Sequence, residues 1–515
     1  MSLKHSLLMA IISVIILGVG LPGAMADFVS PFEINPTVSE NDFLFIDDPG
    51  LNPDFGPDES FAVDNDLTIQ IFTPQHEYKM GQNETLTLSG EAIDDLGVLD
   101  DSDLEWYSDM DGYLGTGSEI VVTGLSIGLH RLELRSGGQS ATVGVAVFAK
   151  SWTIIVYMCG DNNLEGNAIQ DINEMEQIGS DNNINIVPTL DRISGYNASN
   201  GNWTDTRSFY ATKDTNTSII NSQQLKSWGE LQMDNPNSLY SVVKYSIQNY
   251  PAARYAVIIW DHGSGWSKDS KEAVKGSCSD DTSGYSKELE IWEVRTGLRQ
   301  ALNEVGVSKL ELLGYDCCLM GMIEVAYETR NESNYFVGSE ETEPGDGFEY
   351  QRWLASLAGN PSANGGTLGQ YLVTAYYGIG YSTLSAANIS QITNLTTAVN
   401  GLAQAMINSL PGSKNAIKTA RNATKKYYDT SYIDLYHFCA NLKSGTAPTA
   451  VKTAAGSVQT AISAYVVAKG GSAANSNGVS IWFPSTYNAS KMNSYANSTQ
   501  FGNDAVWFDF LDTYF

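Results

Sequence analysis

The sequence is poor in basic residues and in cysteine, and each shortage bears on the class of protein. Among 515 residues there are 29 Lys and Arg against 59 Asp and Glu, which gives a formal charge of -30. Such a chain repels phosphate backbones and anionic lipid surfaces, so we expect no nucleic-acid partner. Five cysteines are too few and too scattered for a disulfide scaffold, and their odd number leaves at least one thiol unpaired.

Long apolar runs are also scarce, and the single long one stands at the start of the chain. Lys4 and His5, an apolar stretch and the small residues around Ala26 predict a secretory signal over residues 1–26. A retained membrane anchor is the alternative, since the run is near the lower length limit for a span. No later stretch is long enough to cross a bilayer. We therefore expect a secreted or cell-surface protein, and ten Asn-x-Ser/Thr sites fit a glycosylated surface.

The next two segments differ in composition. Residues 27–66 are rich in Pro, Asp and Asn without helical or strand periodicity, which is typical of a linker. Residues 67–150 carry short alternating runs such as LTIQIF, TLTLSGEAI and HRLELR, which predict an all-β sandwich that resembles immunoglobulin-like modules. Its Asp-rich stretch 94–117 offers oxygen ligands for calcium but lacks calcium-loop spacing, so a solvated turn cluster is the alternative.

Residues 151–515 have a different pattern, in which continuous apolar runs alternate with helical stretches such as AIQDINEMEQIG. The runs are WTIIVYM, NINIVPTL, YAVIIW, LELLGYD, NYFVGS and GVSIWFP. Runs of this kind predict strands covered on both faces, and the intervening helices predict crossovers. We therefore expect an α/β domain with a mostly parallel sheet flanked by helices. Ligands bind such sheets beyond the carboxyl ends of the strands.

Reactive side chains follow two of these predicted strands. His262 comes just after YAVIIW, and Cys317 and Cys318 come just after LELLGYD, which ends at Asp316. A cysteine can attack a carbonyl at neutral pH, and a nearby histidine can relay the proton. Taken alone, either residue is more often structural. Together, the spacing of roughly fifty residues and the position of both at strand ends favour a catalytic dyad.

Several motifs in order resemble the clostripain family of secreted cysteine peptidases, and the resemblance covers the whole α/β region. The motifs are WTIIVYMCGDNNLE, WDHGSGW, DDTSG, GYDCCLMG, SEETEPGDGFEY, YIDLYHF and GVSIWFP. The family consists of caspase-like α/β enzymes that cleave after Arg or Lys. The resemblance implies that His262 is the catalytic histidine and Cys318 the nucleophile, with Cys317 a packed neighbour. It also implies that Asp316 lines the P1 pocket, with Asp346 as a second acidic wall.

The implied mechanism uses few groups. Cys318 attacks the scissile carbonyl, His262 protonates the leaving amine and then activates water, and the backbone amides of Gly263 and Cys318 hold the oxyanion. No third catalytic residue is assigned, because the sequence does not show that Asp261 orients the ring. A disulfide between the two adjacent cysteines is an alternative that would silence the nucleophile until reduction. The expected substrates are proteins or peptides with Arg or Lys at P1.

The stretch 267–288, between the histidine and the cysteines, is polar and rich in Gly and Lys, as in an exposed loop open to nicking. The resemblance implies maturation by cleavage between these two catalytic residues. Candidate self-cleavage residues are Lys268, Lys271, Lys275 and Lys287. An ordinary surface loop is the alternative.

The remaining expectations concern cofactors and the rival class of protein. The sequence requires no cofactor, although part of the family depends on calcium, and no residue set in the α/β region has recognisable ligand spacing, so no metal ligand is assigned. The rival class is a catalytically silent cell-surface binding or adhesion protein on a peptidase-like scaffold, against which the intact Cys and His argue. The sandwich has three candidate roles: positioning substrate, covering the active site, or attaching the protein to a cell surface.

Overall fold

The computed structural model describes most of the chain beyond the predicted signal and linker. The described residues are 67–76, 78–266, 276–282, 288–377 and 382–515. The four candidate cleavage lysines lie outside these residues, as do the predicted signal and linker. No helix in the described part of the chain combines the length and the apolar character needed to span a membrane.

Residues 67–150 form a small β-sandwich. Its strands are β1 (Thr68–Thr73), β2 (Tyr78–Gly81), β3 (Thr85–Asp94), β4 (Gly97–Val98), β5 (Glu105–Ser108), β6 (Gly112–Thr116), β7 (Glu119–Thr123), β8 (Gly128–Ser136) and β9 (Gln139–Phe148). Strands β1, β3, β4 and β7 make one sheet, and β2, β9, β8, β5 and β6 make the other. Leu86 and Leu88 from the first sheet share a core with Trp106 and Leu132 from the second. The predicted sandwich is confirmed, and its likeness to immunoglobulin-like modules stays a prediction.

The Asp-rich stretch of the sandwich caps turns. Asp94 Oδ1 accepts hydrogen bonds from the backbone N–H of Leu96 and Gly97 at 2.7 and 3.1 Å. Asp109 Oδ1 accepts from the N–H of Arg131, and Asp111 Oδ2 accepts from the N–H of a serine in a neighbouring turn, both at 2.8 Å. These hydrogen bonds stabilise turns, as expected for a solvated turn cluster, the alternative to a calcium site.

In its described residues, the α/β region contributes thirteen further strands and thirteen α-helices. The strands are β10 (Trp152–Gly160), β11 (Ile184–Arg192), β12 (Thr206–Tyr210), β13 (Gln223–Gly229), β14 (Arg254–Trp260), β15 (Ser277–Ser279), β16 (Glu288–Leu289), β17 (Leu310–Asp316), β18 (Ser333–Gly338), β19 (Leu384–Asn388), β20 (Tyr432–Asp434), β21 (Val466–Gly470) and β22 (Ser480–Trp482). The helices are α1 (Glu165–Ile178), α2 (Pro236–Asn249), α3 (Ile291–Glu304), α4 (Ile323–Glu328), α5 (Tyr350–Gly359), α6 (Gly365–Tyr377), α7 (Ile392–Ser409), α8 (Lys414–Ala423), α9 (Leu435–Ser444), α10 (Thr449–Tyr465), α11 (Ala489–Ser498), α12 (Gln500–Asp504) and α13 (Trp507–Tyr514).

Nine of these strands form the central sheet, in the order β13, β12, β11, β10, β14, β17, β18, β19, β21. The five strands in the middle, from β11 to β18, pair with one another in parallel. The two strands on each side are added through antiparallel pairs. The predicted α/β fold is confirmed. The run GVSIWFP is also a strand, but β22 pairs with β20 in a separate two-stranded sheet. This strand has only three residues, Ser480–Trp482, and it is not part of the central sheet.

Helices cover both faces of the central sheet, which explains the continuous apolar runs. Alternate side chains of β10 point to opposite faces. Ile155 and Tyr157 join one buried cluster with α2 and α3, whereas Ile154 and Val156 join a second with α1, α5 and α6. Because each face of the sheet packs against its own core, every residue of β10 is buried.

The sandwich contacts the amino ends of the parallel strands. Arg254, the first residue of β14, makes two hydrogen bonds of 2.7 and 3.0 Å to the carboxylate of Glu84. Paired charges with two-point geometry are the strong form of such a contact. Asn83 donates to Asn183 just before β11 at 3.0 Å. The carboxyl ends of the strands, where ligands bind in such folds, are at the other edge.

Candidate active site

Two neighbouring parallel strands bring the predicted histidine and cysteine to one edge of the sheet. In the pairing of β14 with β17, Trp260 stands opposite Asp316. The N–H of Asp261 continues the ladder by donating to the carbonyl of Asp316 over 3.3 Å. His262 and Cys318 therefore each lie two residues beyond the same paired position.

The backbones that follow these strand ends are in close contact. A Cβ atom added to Gly263 would lie 2.3 Å from the carbonyl oxygen of Cys318 and 3.0 Å from its nitrogen. Real Cβ atoms do not approach backbone so closely, so only glycine fits here. The residue after the histidine thus packs directly on the main chain of Cys318.

Asn163 contacts the histidine ring. Its Oδ1 lies 2.9 Å from Nε2 of His262. An amide oxygen accepts, so the ring proton is on Nε2 and the lone pair of Nδ1 is left to take a proton. Burial lowers the pKa of His262, which favours this neutral form. The sequence analysis did not identify Asn163. This residue lies in the motif WTIIVYMCGDNNLE, just after the end of β10, which is the strand next to β14.

Asp261, the residue before the histidine, holds the surrounding loops. Its Oδ1 accepts from Nδ2 of Asn162 at 2.8 Å, and its Oδ2 accepts from the N–H of Ser279. Burial raises its pKa to about 8, although the N–H groups of His262 and Ser279 offset part of the rise. The Asp261 carboxyl therefore links the loop that carries His262 to the loops of Asn162 and Ser279.

The two adjacent cysteines have different surroundings, and neither is in a disulfide. Cys317 is 1% exposed, and its Sγ donates to the carbonyl of Ile259 over 3.4 Å. Cys318 is partly exposed, and its Sγ accepts from the N–H of Glu343 over 3.2 Å. Burial raises the pKa of the Cys318 thiol, and the carboxyls of Asp316 and Asp261 add to the rise, so the resting thiol is neutral.

Asp316 is a buried carboxyl close to this thiol. Its Oδ1 accepts from the N–H of Phe348 at 3.0 Å, and its Oδ2 accepts from the hydroxyl of Tyr350 at 2.9 Å. Burial raises its pKa to about 7. Both carboxylate oxygens of Glu343 are buried and have no hydrogen-bond partner among the described residues. Burial, followed by repulsion from Asp316 and Cys318, raises the pKa of Glu343.

Two more carboxyls extend this acidic region. Asp171, on α1, is fully buried and accepts from Nε1 of Trp260 at 2.6 Å. Burial raises its pKa, and Asp316 adds to the rise. Asp346 is exposed and close enough to Asp171 to contribute to that rise as well. Glu343 and Asp171 were missed from sequence; the first stands in the motif SEETEPGDGFEY, whereas nothing in the helix pattern of α1 marks the second.

A thiol and a neutral imidazole at the carboxyl edge of a parallel α/β sheet, beside buried carboxyls, define the class of cysteine hydrolases. The model of the clostripain family matches residues 156–514, so the chain belongs to that family. The chain is therefore a member of a family of cysteine peptidases.

Individual relatives agree with this assignment. Clostripain from Hathewaya histolytica is 28% identical over 235 residues, which are 42% of this chain and 43% of clostripain. The match thus spans less than half of that relative. Among solved structures, a secreted C11 cysteine protease from Bacteroides thetaiotaomicron, in complex with an irreversible peptide inhibitor, has a TM-score of 0.52 and 20% identity. An inactive zymogen C11 protease from Parabacteroides distasonis has a TM-score of 0.51 and 19% identity. Each covers 70% of this chain and 99% of the solved chain, and these two likenesses show the fold.

Proposed function

We propose that the protein is a secreted endopeptidase that cleaves after Arg or Lys, with Cys318 as nucleophile and His262 as proton carrier. The main support is that each of these two residues lies two positions after a residue of the same strand pair, Trp260 and Asp316. The contact of Gly263 with the main chain of Cys318 supports it.

The reaction starts from a neutral thiol and a neutral ring. Nδ1 of His262 accepts the thiol proton as Sγ of Cys318 adds to the scissile carbonyl carbon. The N–H groups of Gly263 and Cys318 hold the negative oxygen that forms. The imidazolium then gives its proton to the leaving amine, which leaves a thioester on sulfur. Water, deprotonated by His262, attacks the thioester and releases the acid and the free thiol.

Selectivity for a basic P1 side chain rests on the neighbouring carboxyls of Asp316 and Glu343. Burial raises the pKa of both carboxyls, so a cation beside them would stabilise their charged forms. A guanidinium or ammonium group supplies that cation, whereas an acidic P1 side chain would add a further unpaired charge. Asp346, at the exposed edge, is the proposed second acidic wall.

We also propose export and self-cleavage within 267–288. Cys159 and Cys278 form a disulfide, and structural disulfides are typical of oxidising compartments. The disulfide ties residues 276–282 to the end of β10. A chain cut on both sides of Cys278 would release that piece only after reduction. Intact mass with and without reductant tests the idea, and an uncut chain of full activity would refute it.

Three assays on the mature protein test the main proposal. Cys318→Ala should abolish hydrolysis of Arg and Lys peptides, and the matched variant Cys317→Ala should retain most of it. A positional-scanning peptide library should give Arg or Lys at P1. An Arg chloromethyl ketone should add to Cys318, as located by peptide mass spectrometry. Activity that depends on Cys317, or a preference for Asp at P1, would overturn the assignment.

A further inference from the structure

The sandwich contains a polar cavity at the end opposite to its contacts with the α/β region. Its volume is about 640 Å³, and its lining includes Glu105, Glu133, Arg135, Ser136 and Ser140. Strand β9 leads from the turn beside this cavity to Phe148, next to the α/β region, and its ten extended residues span about 33 Å. The volume lies within the range of sites for small organic ligands, roughly 300–1,000 Å³.

One buried polar atom in the wall of this cavity has no partner. Ser136 lines the cavity and is only 5% exposed, yet its Oγ makes no hydrogen bond to any described residue. Buried hydroxyls are nearly always hydrogen-bonded, so an unpaired one beside a cavity indicates a polar ligand or an ordered water. A ligand of this cavity therefore has to bring a hydrogen-bonding group to Ser136.

The charged groups of the wall are fixed by contacts with one another. Arg135 pairs with the carboxylate of Glu133 at 2.6 Å, and the hydroxyl of Tyr107 donates to the carboxylate of Glu105 at 3.0 Å. The guanidinium of Arg135 lies 4.1 Å from the centre of the Tyr107 ring. Half of the Arg135 side chain is exposed, and a guanidinium has five N–H groups, so donors remain for a ligand.

We propose that this cavity binds a neutral carbohydrate. Sugar hydroxyls both donate and accept hydrogen bonds, so they match a wall that combines guanidinium donors with carboxylate and hydroxyl acceptors. An apolar ligand would bury the charged groups and the Ser136 hydroxyl without partners, which is unfavourable.

The charges of the wall disfavour ionic ligands of either sign. Asp103, Glu105 and Glu133 outnumber Arg135, so an anionic sugar such as a uronic acid would be repelled. In the sheet, Arg135 stands between Glu105 on β5 and Ser140 on β9, where it would repel the side chains of a basic peptide. A neutral polyol meets neither penalty.

A neighbouring aromatic ring extends this surface for a longer chain of sugars. Tyr113, on β6, is 57% exposed, and its ring packs edge-on against that of Tyr107 with centres 5.4 Å apart. A tyrosine ring has a flat apolar face, on which the C–H face of a sugar ring can stack. We therefore expect oligosaccharides to bind more tightly than a single sugar. Such binding would attach the protein to a glycan through the sandwich, and it is independent of the proposed function because it uses no residue of the α/β region.

Binding is measured on the Cys318→Ala protein with an array of neutral oligosaccharides of glucose, galactose, mannose and N-acetylglucosamine. Uronic-acid oligomers and a Lys-rich peptide represent the disfavoured classes. At least one neutral oligosaccharide should bind, with one site per chain by calorimetry. Arg135→Ala should weaken it at least about tenfold and Ser136→Ala about threefold, as for loss of a charged and of a neutral hydrogen bond. Arg352→Ala, which removes an exposed arginine paired with Glu349 on α5, is the matched control and should bind as the parent does.

Two further readouts separate binding from folding. The melting temperatures of Arg135→Ala and Ser136→Ala should stay within about 2 °C of the parent. Tyr113→Ala should weaken a longer oligosaccharide more than a monosaccharide.

Several results would overturn the proposal. These are no binding of any neutral sugar at millimolar concentration, selective binding of the uronic acids or of the Lys-rich peptide, and unchanged affinity in both Arg135→Ala and Ser136→Ala. Binding that appears only after removal of residues 27–66 would also overturn it, because the chain itself would then occupy the cavity.

Discussion

Gly263 and Cys318 are packed so closely that a single methyl group on the glycine would stand 2.3 Å from the carbonyl oxygen of the cysteine. The contact joins the two strand ends that carry the imidazole and the thiol. It also brings the two proposed oxyanion donors together, so displacement of either main chain should disturb the transition state more than substrate binding.

Gly263→Ala should therefore lower kcat for Arg peptides about 100-fold, with little change in KM, as expected for loss of one oxyanion donor. Steady-state kinetics check this. Gly401→Ala, on α7 where an added Cβ meets nothing within 4 Å, is the control and should keep full activity. Unchanged kcat in Gly263→Ala would show that the contact has no part in catalysis.

Asn163→Asp should shift the acid limb of the pH profile of kcat/KM upward by about one unit. A carboxylate beside the ring stabilises the imidazolium and so raises the pKa of His262, which must be neutral to accept the thiol proton. Asn163→Ala should lower kcat about tenfold without such an upward shift, since it removes the acceptor that fixes the ring. Identical pH profiles for wild type and Asn163→Asp would mean that Asn163 does not contact the working histidine.

Cleavage after Arg should increase as pH rises through about 7. The pKa of Asp316 is raised to about 7, so this carboxyl is mostly neutral below that pH and charged above it, and only the charged form attracts a cation. Asp316→Asn should remove this rise and lower kcat/KM at least 100-fold for Arg peptides, with a far smaller effect on apolar ones.

Glu343 provides a second test of the same group of carboxyls. Burial raises the pKa of Glu343, which favours its neutral form, so Glu343→Gln, a neutral side chain of the same shape, should retain kcat/KM for Arg peptides within about threefold. Glu343→Ala removes the side chain and should lower kcat/KM more than about tenfold. A large loss in Glu343→Gln would instead show that Glu343 binds substrate as a carboxylate.

Stability should increase as the pH falls from 8 to 5. Burial raises the pKa of Asp261 to about 8 and that of Glu324 to about 7. In this window the folded chain binds protons that the unfolded chain does not, so the free energy of unfolding falls as pH rises. Calorimetry of Cys318→Ala should give a Tm at least about 2 °C higher at pH 5 than at pH 8. Glu324→Gln should reduce this slope, and the exposed control Glu119→Gln should not.

The central strands were predictable from the sequence because both of their faces are buried. Every residue of β10 lies in the interior, and Thr153 is the one polar side chain in its apolar run. The antiparallel edge strands were not recognised. β13, with the sequence QQLKSWG, has no fully buried residue, and β21 is only five residues long. Edge strands keep one side in solvent, so their composition resembles that of loops.

The site was predictable to the extent that it lies in short motifs. His262 and the two adjacent cysteines were predicted as candidates because each follows an apolar strand, whereas the choice of Cys318 over Cys317 came from the resemblance to the family. Asn163 and Glu343 contact His262 and Cys318 from other loops, and no local sequence pattern marks such contacts. The same holds for the disulfide, since five scattered cysteines allow many pairings and only the fold brings Cys159 beside Cys278.

The ion pair of Glu84 with Arg254 fixes where the sandwich stands. Arg254 begins β14 and His262 follows its other end, and seven extended residues span about 23 Å. The described contacts of the sandwich therefore lie at the amino-terminal edge of the parallel strands, opposite to the edge that carries the Cys318 thiol. These contacts therefore do not cover the carboxyl edge of the sheet, where Cys318 lies.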